Sequence, residues 1–267
     1  MLLNTKRGFS VMGLTNILFK KTILIFTIMF FTSNSRAGTE INGNRQSDGK
    51  IEFFPVQHAS FVIGYTSPSG IRTTIFVDPT GEAGQYKIFG IPDIILVTHE
   101  HGDHFDAGLL TKVKGDKSEV IVTENVYKKL GFGRVMANGA EINVADVQIC
   151  AIPMYNMTPD RLRYHQKGAG NGYVLTIGGK RVYISGDTED IPEMRSLKNI
   201  DYAFICMNLP YTMDAAQAAS AVLEFKPANV YPYHYRSQSG DGEKVIAKFK
   251  DMVSVNPNIS VHLLKWY

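Results

Sequence analysis

Three imidazoles and two carboxylates are packed into six consecutive residues, His99-Glu100-His101-Gly102-Asp103-His104. Imidazole nitrogen and carboxylate oxygen are the ligands that zinc and similar divalent ions take at catalytic sites. Histidines at i and i+2 of an extended segment point to one side, so His99 and His101 can share one ion. A tight turn through Gly102 then brings Asp103 and His104 round to face a second one. The competing reading is a solvated loop that happens to hold histidines. Against it, five of the chain's seven histidines fall where a single metal site would need them.

Such ligands need rigid elements behind them. The motif follows an apolar run, Asp93-Ile94-Ile95-Leu96-Val97-Thr98, that reads as a buried strand. Three more candidates lie at or near strand ends. His165 precedes a strand over 173–177, Asp187 follows one over 181–185 in Ser185-Gly186-Asp187-Thr188, and His234 follows Asn229–Tyr233. Ligands from separate strands can converge at one rim of a sheet. Taken singly, a strand-end aspartate is usually a turn residue, and a lone histidine is usually a surface or hydrogen-bonded core residue.

Further strands are predicted over Ile51–Gln57, 61–65, 71–77, 120–123, 141–152, 202–207 and 259–264. Helices are predicted over Ala107–Val113, Glu124–Leu130, Ala215–Phe225 and Gly242–Val253, with Gly131 ending the second and Asp214 capping the third. Gly178-Gly179 marks a hairpin, and residues 80–90 read as a loop. Strands in both halves with helices between them predict an α/β fold of two sheets packed face to face, helices outside. Residues 153–170 form a long irregular segment, and such segments inside a compact domain are usually functional. Its Arg161, Arg163 and Lys167 either contact an anionic substrate or are ordinary solvated charges.

The N-terminal region carries its own pattern. Lys20 and Lys21 precede an apolar run over 22–32, followed by Ser33-Asn34-Ser35-Arg36-Ala37. That is the layout of a signal peptide over residues 1–37, with Met12 as an alternative start and an uncleaved anchor as the alternative fate. The run is shorter than the roughly 20 apolar residues a bilayer span needs. Export to the periplasm or beyond is therefore expected, with no stable membrane anchor after cleavage. A flexible polar leader over 38–50 and a single domain over 51–267 follow. The formal charge of +3 also belongs to this region. Lys6, Arg7, Lys20, Lys21 and Arg36 are removed with it and no acid is lost, leaving 23 basic and 25 acidic residues, a net of −2. Nucleic-acid binding gains no support from that balance. Cys150 and Cys206 sit in apolar strand-like runs and are expected as free core thiols.

The string Thr98-His99-Glu100-His101-Gly102-Asp103-His104 resembles the HxHxDH signature of the metallo-β-lactamase superfamily. His165, Gly186-Asp187-Thr188 and His234 fall, in order, where that superfamily places its later motifs. Residues 164–187 and Tyr211-Thr212-Met213-Asp214-Ala215 resemble the branch of metal-dependent hydrolases that also holds ascorbate-6-phosphate lactonases. Gln57-His58-Ala59-Ser60-Phe61 is similar to that branch's Gly-His-Ala/Ser strand, with Gln57 where glycine is usual. The resemblance spans about residues 51–264.

It implies a four-layer αββα sandwich of two mixed sheets with two divalent ions, zinc favoured and manganese or iron open. His99, His101 and His165 would hold one ion, and Asp103, His104 and His234 the other, with Asp187 bridging. Asp78 would orient a ligand histidine, unless it is a plain strand-to-turn residue. His58 would lie beside the ions as a substrate-facing or proton-transfer group, unless it is a satisfied core histidine. Asp103, Asp187 and His58 are thus the candidate catalytic residues. Paired ions lower the pKa of a shared water from about 15.7 towards about 7, giving hydroxide at neutral pH. The implied activity is hydrolysis of a C–O or P–O bond in a small molecule or headgroup, of lactonase, esterase or phosphodiesterase type. A β-lactamase-like amide hydrolase is the first alternative, although the best-known β-lactamases of this fold carry cysteine where this chain has Asp187. A nuclease and a non-catalytic metal-binding protein are the others. A small-molecule substrate is expected and nucleic acid is not; the oligomeric state is left open.

Overall fold

Alternation along the strands of the first half sets the layers. On β2 (Ile51–Gln57), Ile51 and Phe53 face one apolar cluster and Phe54 another. On β3 (Ser60–Thr66), Phe61 and Ile63 oppose Val62, and on β4 (Arg72–Val77), Ile75 and Val77 oppose Phe76. The same split divides β5 (Ile94–Leu96) and β6 (Glu119–Val122). Successive side chains of a strand point to opposite faces, so this sheet is covered on both. One face packs on α1 (Ala83–Tyr86), α2 (Ala107–Val113) and α3 (Glu124–Leu130) through Tyr86, Leu109, Leu110 and Val126. The other packs on the second sheet.

The computed structural model describes residues 46–47, 51–236 and 240–267. The signal segment expected over 1–37 lies outside the described residues. So does the 38–50 leader, apart from β1 (Gln46–Ser47), which pairs with β2 rather than standing free of the domain.

Each sheet is built from one contiguous stretch of chain. The first runs β1 to β7 (Arg134–Val135) in order, antiparallel as far as β4 and parallel from β4 onward. The second repeats that plan through β8 (Glu141–Val144), β9 (Val147–Met154), β10 (Gly170–Ile177), β11 (Lys180–Ile184), β12 (Tyr202–Cys206), β13 (Asn229–Tyr233) and β14 (Ser260–Val261). Its parallel pairs begin at β11, with α4 (Pro192–Arg195), α5 (Ala215–Phe225) and α6 (Gly242–Val253) as crossovers. Parallel strands need such crossovers, and the helices they supply cover the sheet's outer face. The four-layer αββα sandwich of two mixed sheets is thus the observed fold.

Aromatic rings fill the space between the sheets. Phe53 lies 5.0 Å from Phe204 and 5.4 Å from Tyr231, and Phe61 stacks on Phe204 at 4.4 Å. Phe204→Ala opens a cavity at the meeting point of these rings. A loss of about 3–5 kcal/mol is expected, measured as a lowered urea midpoint.

Several elements differ from the sequence-based expectation. The strand predicted over 141–152 is the hairpin β8–β9, because Ala145 takes a left-handed φ of 49° and turns the chain. The loop predicted over 80–90 contains α1 and a 3-10 turn, Lys87–Phe89, started by a capping box between Glu82 and Gln85. The strand predicted over 259–264 shrinks to β14. Both cysteines are free; Cys206 is buried and Cys150 half-buried.

Candidate metal centre

Every residue singled out for metal chemistry lies beyond a strand end or in a turn at the same rim. Parallel strands running one way bring their carboxyl ends together, and α/β sheets bind ligands there. Asp78 follows β4, the histidine motif follows β5, Asp187 follows β11 and His234 follows β13. His58 sits in the β2–β3 turn, and His165 in the segment between β9 and β10. Six described non-glycine residues have positive φ, and three are His58 (49°), Asp78 (44°) and His234 (47°). Each such residue costs about 1–3 kcal/mol, a strain that collects at functional sites.

The turn after His101 closes by hydrogen bonds from the amides of His104 (3.0 Å) and Phe105 (2.9 Å) to the His101 carbonyl. Gly102 is not among the positive-φ residues, and a Cβ there would meet nothing within 4 Å. The turn therefore does not depend on glycine, contrary to the sequence expectation. The glycine that matters is Gly186, at φ 58°, where a Cβ would lie 2.5 Å from Met154 Sδ and 3.2 Å from Thr98 Cβ. It lets Asp187 reach the centre against β5's end.

Three rings have Nδ1 held and Nε2 turned inward. The Asp78 carboxylate accepts from the Thr98 amide (2.7 Å) and the Thr98 hydroxyl (2.7 Å), and lies 2.8 Å from His104 Nδ1. With its proton given to Asp78, Thr98 Oγ1 is an acceptor for His99 Nδ1 at 3.0 Å. His165 Nδ1 has the Tyr211 carbonyl at 3.2 Å. A metal-bound imidazole needs such a partner on its other nitrogen. The inward atoms then meet. His99 Nε2 is 3.0 Å from His101 Nδ1. Asp187 Oδ1 is 3.3 Å from His104 Nε2 and 2.7 Å from His234 Nδ1, while its Oδ2 is 3.5 Å from His165 Nε2.

Burial makes these contacts costly as they stand. His99, His104, His165, Asp187 and His234 are buried, whereas His101, Gly102 and Asp103 are exposed. His104 Nε2, His165 Nε2, Asp187 Oδ1 and His234 Nδ1 are among the described buried atoms with no hydrogen-bond partner. Buried polar atoms are nearly always satisfied, and four orphans around one point call for a bound group. All donors are nitrogen or oxygen, which fits a divalent cation. Three triads have donor atoms within 4.8 Å of one another: His99, His101 and His165; His99, His104 and Asp187; His58, Asp103 and His234.

The electrostatics agree. Burial holds His99 well below its ordinary value and pushes His165 down to about 4, leaving both rings neutral as ligands must be. Burial also opposes charge on His104 and His234, yet Asp187 outweighs it and raises both, aided by Asp78 at His104 and Asp103 at His234. Burial pushes Asp187 upward, but His234 and His104 hold it well below the carboxylate range. Asp103 is likewise lowered against burial by hydrogen bonds from His234 and His58. The cluster thus sets two neutral rings beside two ionised carboxylates.

The segment that carries His165 is tied down by residues the sequence reading missed. The buried Glu189 carboxylate accepts from the amides of Met157 (2.6 Å) and Thr158 (2.7 Å) and from Arg161 (2.6 Å). Asn156 donates to the carbonyls of Arg161 and Tyr211, and its amide binds the His165 carbonyl. Arg161 is thus structural. Lys167 pairs with Glu193 at 3.0 Å, and Arg163 lies over Tyr164. Each of the three cations is thus engaged by a neighbouring side chain. Glu189→Ala leaves two amides without a partner and Arg161 with only the Gln217 side-chain oxygen, its charge unpaired. A loss of about 3 kcal/mol is expected in urea, with faster proteolysis across 157–164.

The two-sheet α/β fold with a histidine and aspartate cluster across its strand ends is that of a metal-dependent enzyme. A family model described as a beta-lactamase superfamily domain matches residues 51–234, and the chain belongs to that family. A UPF0173 metal-dependent hydrolase of Pyrococcus abyssi is 32% identical over 196 residues, covering 70% of this chain and 85% of its own length. A solved structure from Parabacteroides distasonis, described as a candidate metal-dependent hydrolase, is 41% identical with a TM-score of 0.73, covering 81% of this chain and 94% of that one. The metallo-beta-lactamase fold protein YhfI of Bacillus subtilis shares the fold at 14% identity and a TM-score of 0.63, covering 80% and 96%.

Proposed function

We propose that this metal-dependent hydrolase holds two divalent ions, zinc by preference, and cleaves a C–O or P–O bond in a small molecule or headgroup. The observation that carries the two-ion reading is the position of Asp187, one oxygen facing His165 and the other facing His104 and His234. His99, His101 and His165 would hold one ion, and Asp103, His104 and His234 the other, with Asp187 between them. When bound, the ions supply Lewis acidity and a water acidified to a pKa of about 7.

The remaining work falls to the chain. Asp78, Thr98 and the Tyr211 carbonyl fix the rings of His104, His99 and His165, so their inner nitrogens need no reorganisation during reaction. Exposure of His101, Gly102 and Asp103 above an otherwise buried cluster supports substrate entry over that turn. Asp103, whose side chain is 44% exposed, is the carboxylate nearest that entrance among the candidate ligands. Export is part of the reading and rests on the basic, apolar and small-residue pattern over 1–37. N-terminal sequencing of protein from a secreting host tests it; a chain beginning at Gly38 is expected.

The chemistry is tested by assaying lactones, phosphodiesters and β-lactams with the purified chain. Turnover on an ester-type substrate is expected, abolished by chelation and restored by zinc. Hydrolysis that persists after chelation overturns the reading.

A further inference from the structure

One of the three triads shares no residue with the other two, and it contains a histidine outside the HxHxDH motif and its partners. His58 Nε2 lies 2.7 Å from His234 Nε2 and 3.2 Å from Asp103 Oδ2, and His234 Nε2 lies 3.3 Å from the same carboxylate oxygen. The three atoms form a closed triangle. Hydrogen bonding cannot satisfy it: each ring nitrogen carries at most one hydrogen and an ionised carboxylate none, so at most two of the three contacts can be bridged. With His234 Nδ1–H turned to Asp187 and His58 Nδ1–H to the Tyr267 hydroxyl, the two neutral rings present lone pairs to one another. A cation answers all three donors at once. Ligands in tetrahedral directions at about 2.0–2.2 Å lie about 3.3–3.6 Å apart, close to two of the three edges.

His58 is held as the other rings are. Its Nδ1 is 2.9 Å from the Tyr267 hydroxyl, which also accepts from the Arg236 amide at 3.3 Å. Tyr267 is fixed in turn by the Tyr235 ring at 5.2 Å and the Arg236 guanidinium over its face at 5.4 Å. Asp78 stands in this relation to His104, Thr98 to His99 and the Tyr211 carbonyl to His165. The left-handed φ of 49° at His58, just past a register shift between Pro55 and Gln57, turns its ring inward, and His234 has the matching φ of 47°. Both His58 nitrogens thus face protein groups, Nδ1 the Tyr267 hydroxyl and Nε2 Asp103 and His234.

We infer that His58 is a protein ligand of the second metal ion, its Nε2 beside Asp103 Oδ2 and His234 Nε2, with His234 Nδ1 turned to Asp187 as that ring's outer contact and Tyr267 as the positioning residue that presents His58 Nε2. This rests on the two-ion reading above and replaces a proton-transfer role for His58 with a metal-holding one.

The test is titration of the full metal-free chain with cobalt(II), in competition with a chromophoric chelator and read by the cobalt visible spectrum. Wild type, His58→Ala and Tyr267→Phe are compared. Wild type is expected to take two equivalents. His58→Ala keeps the first with unchanged affinity and spectrum, while the second weakens at least about 100-fold and its bands change. Tyr267→Phe, which loses one oxygen and keeps the ring, weakens only the second, by about 10–100-fold. Thermal melting of each metal-free variant checks folding, and if His58→Ala does not fold, Tyr267→Phe decides. Two equivalents at wild-type affinity and spectrum in His58→Ala, or in Tyr267→Phe where that variant decides, overturn the assignment of His58 and leave the two-ion reading standing. One equivalent or none in wild type overturns both.

Discussion

Asp187→Ala is expected to reduce hydrolysis by at least about 10³-fold, the equivalent of about 4 kcal/mol of transition-state stabilisation. Among the described residues it is the carboxylate that meets rings from both sides of the centre: His165 across one oxygen, His104 and His234 across the other. Its removal leaves those imidazoles without the charge that would hold two cations close together. Asp187→Asn keeps the shape and loses the charge, so it is expected to fail nearly as badly. The fold should survive either change. Ser185 and Gly186, which aim the residue, are held by the Ser185 amide on the Phe204 carbonyl and by the Ser185 hydroxyl on the Gly186 carbonyl. Activity is read as kcat/KM on the best substrate of the panel, with a urea melt as the control for folding. Unchanged turnover in a folded Asp187→Ala would remove Asp187 from the chemistry.

Asp78→Ala is expected to damage both stability and metal affinity without touching a ligand atom. Its fully buried carboxylate organises Thr98 through two hydrogen bonds and His104 through a third, and Thr98 in turn orients His99. Breaking a buried charged network by removing one partner costs about 3–5 kcal/mol. Alanine also tolerates the φ of 44° less well than aspartate. Loss of the outer partners of two ligand rings lowers metal affinity by about 10–100-fold. Asp78→Asn keeps an acceptor for Thr98 but offers an amide to His104 Nδ1, which favours the wrong ring tautomer; its affinity loss should approach that of alanine with a smaller loss of stability. Zinc competition and urea denaturation measure the two effects separately.

Much of this was legible in the chain because the signals are local. The limits of α2, α3, α5 and α6 match the sequence reading, since Gly131 at φ 81° and the Asp214 cap are short-range devices. The histidine motif, Asp187 and His234 were legible because each follows an apolar run, and such runs end at the rim of a sheet; His165, which precedes its strand, was legible through the resemblance. What escaped reading depends on long-range contact. Glu189 is one more acidic residue until the fold lays Met157, Thr158 and Arg161 against it. Tyr267 meets His58 across 209 residues. Asn208, 3.3 Å from His234 Nε2, has no local pattern at all. Thr98 sat inside the motif and still had no assigned role, because its role exists only once β4 delivers Asp78 beside it. The hairpin at Ala145 was missed for the opposite reason: alanine seldom takes a left-handed φ, so nothing in the string announces the turn.

The most direct measurement is an anomalous difference map, at the zinc absorption edge, of crystals of this chain grown with zinc. Two peaks are expected. One should lie about 2.0–2.2 Å from ring nitrogens of His99, His101 and His165, and the other within the same distance of donors from Asp103, His104 and His234, with an Asp187 oxygen directed at each. A single peak, a peak away from these residues, or none at all would contradict a two-ion centre at this rim.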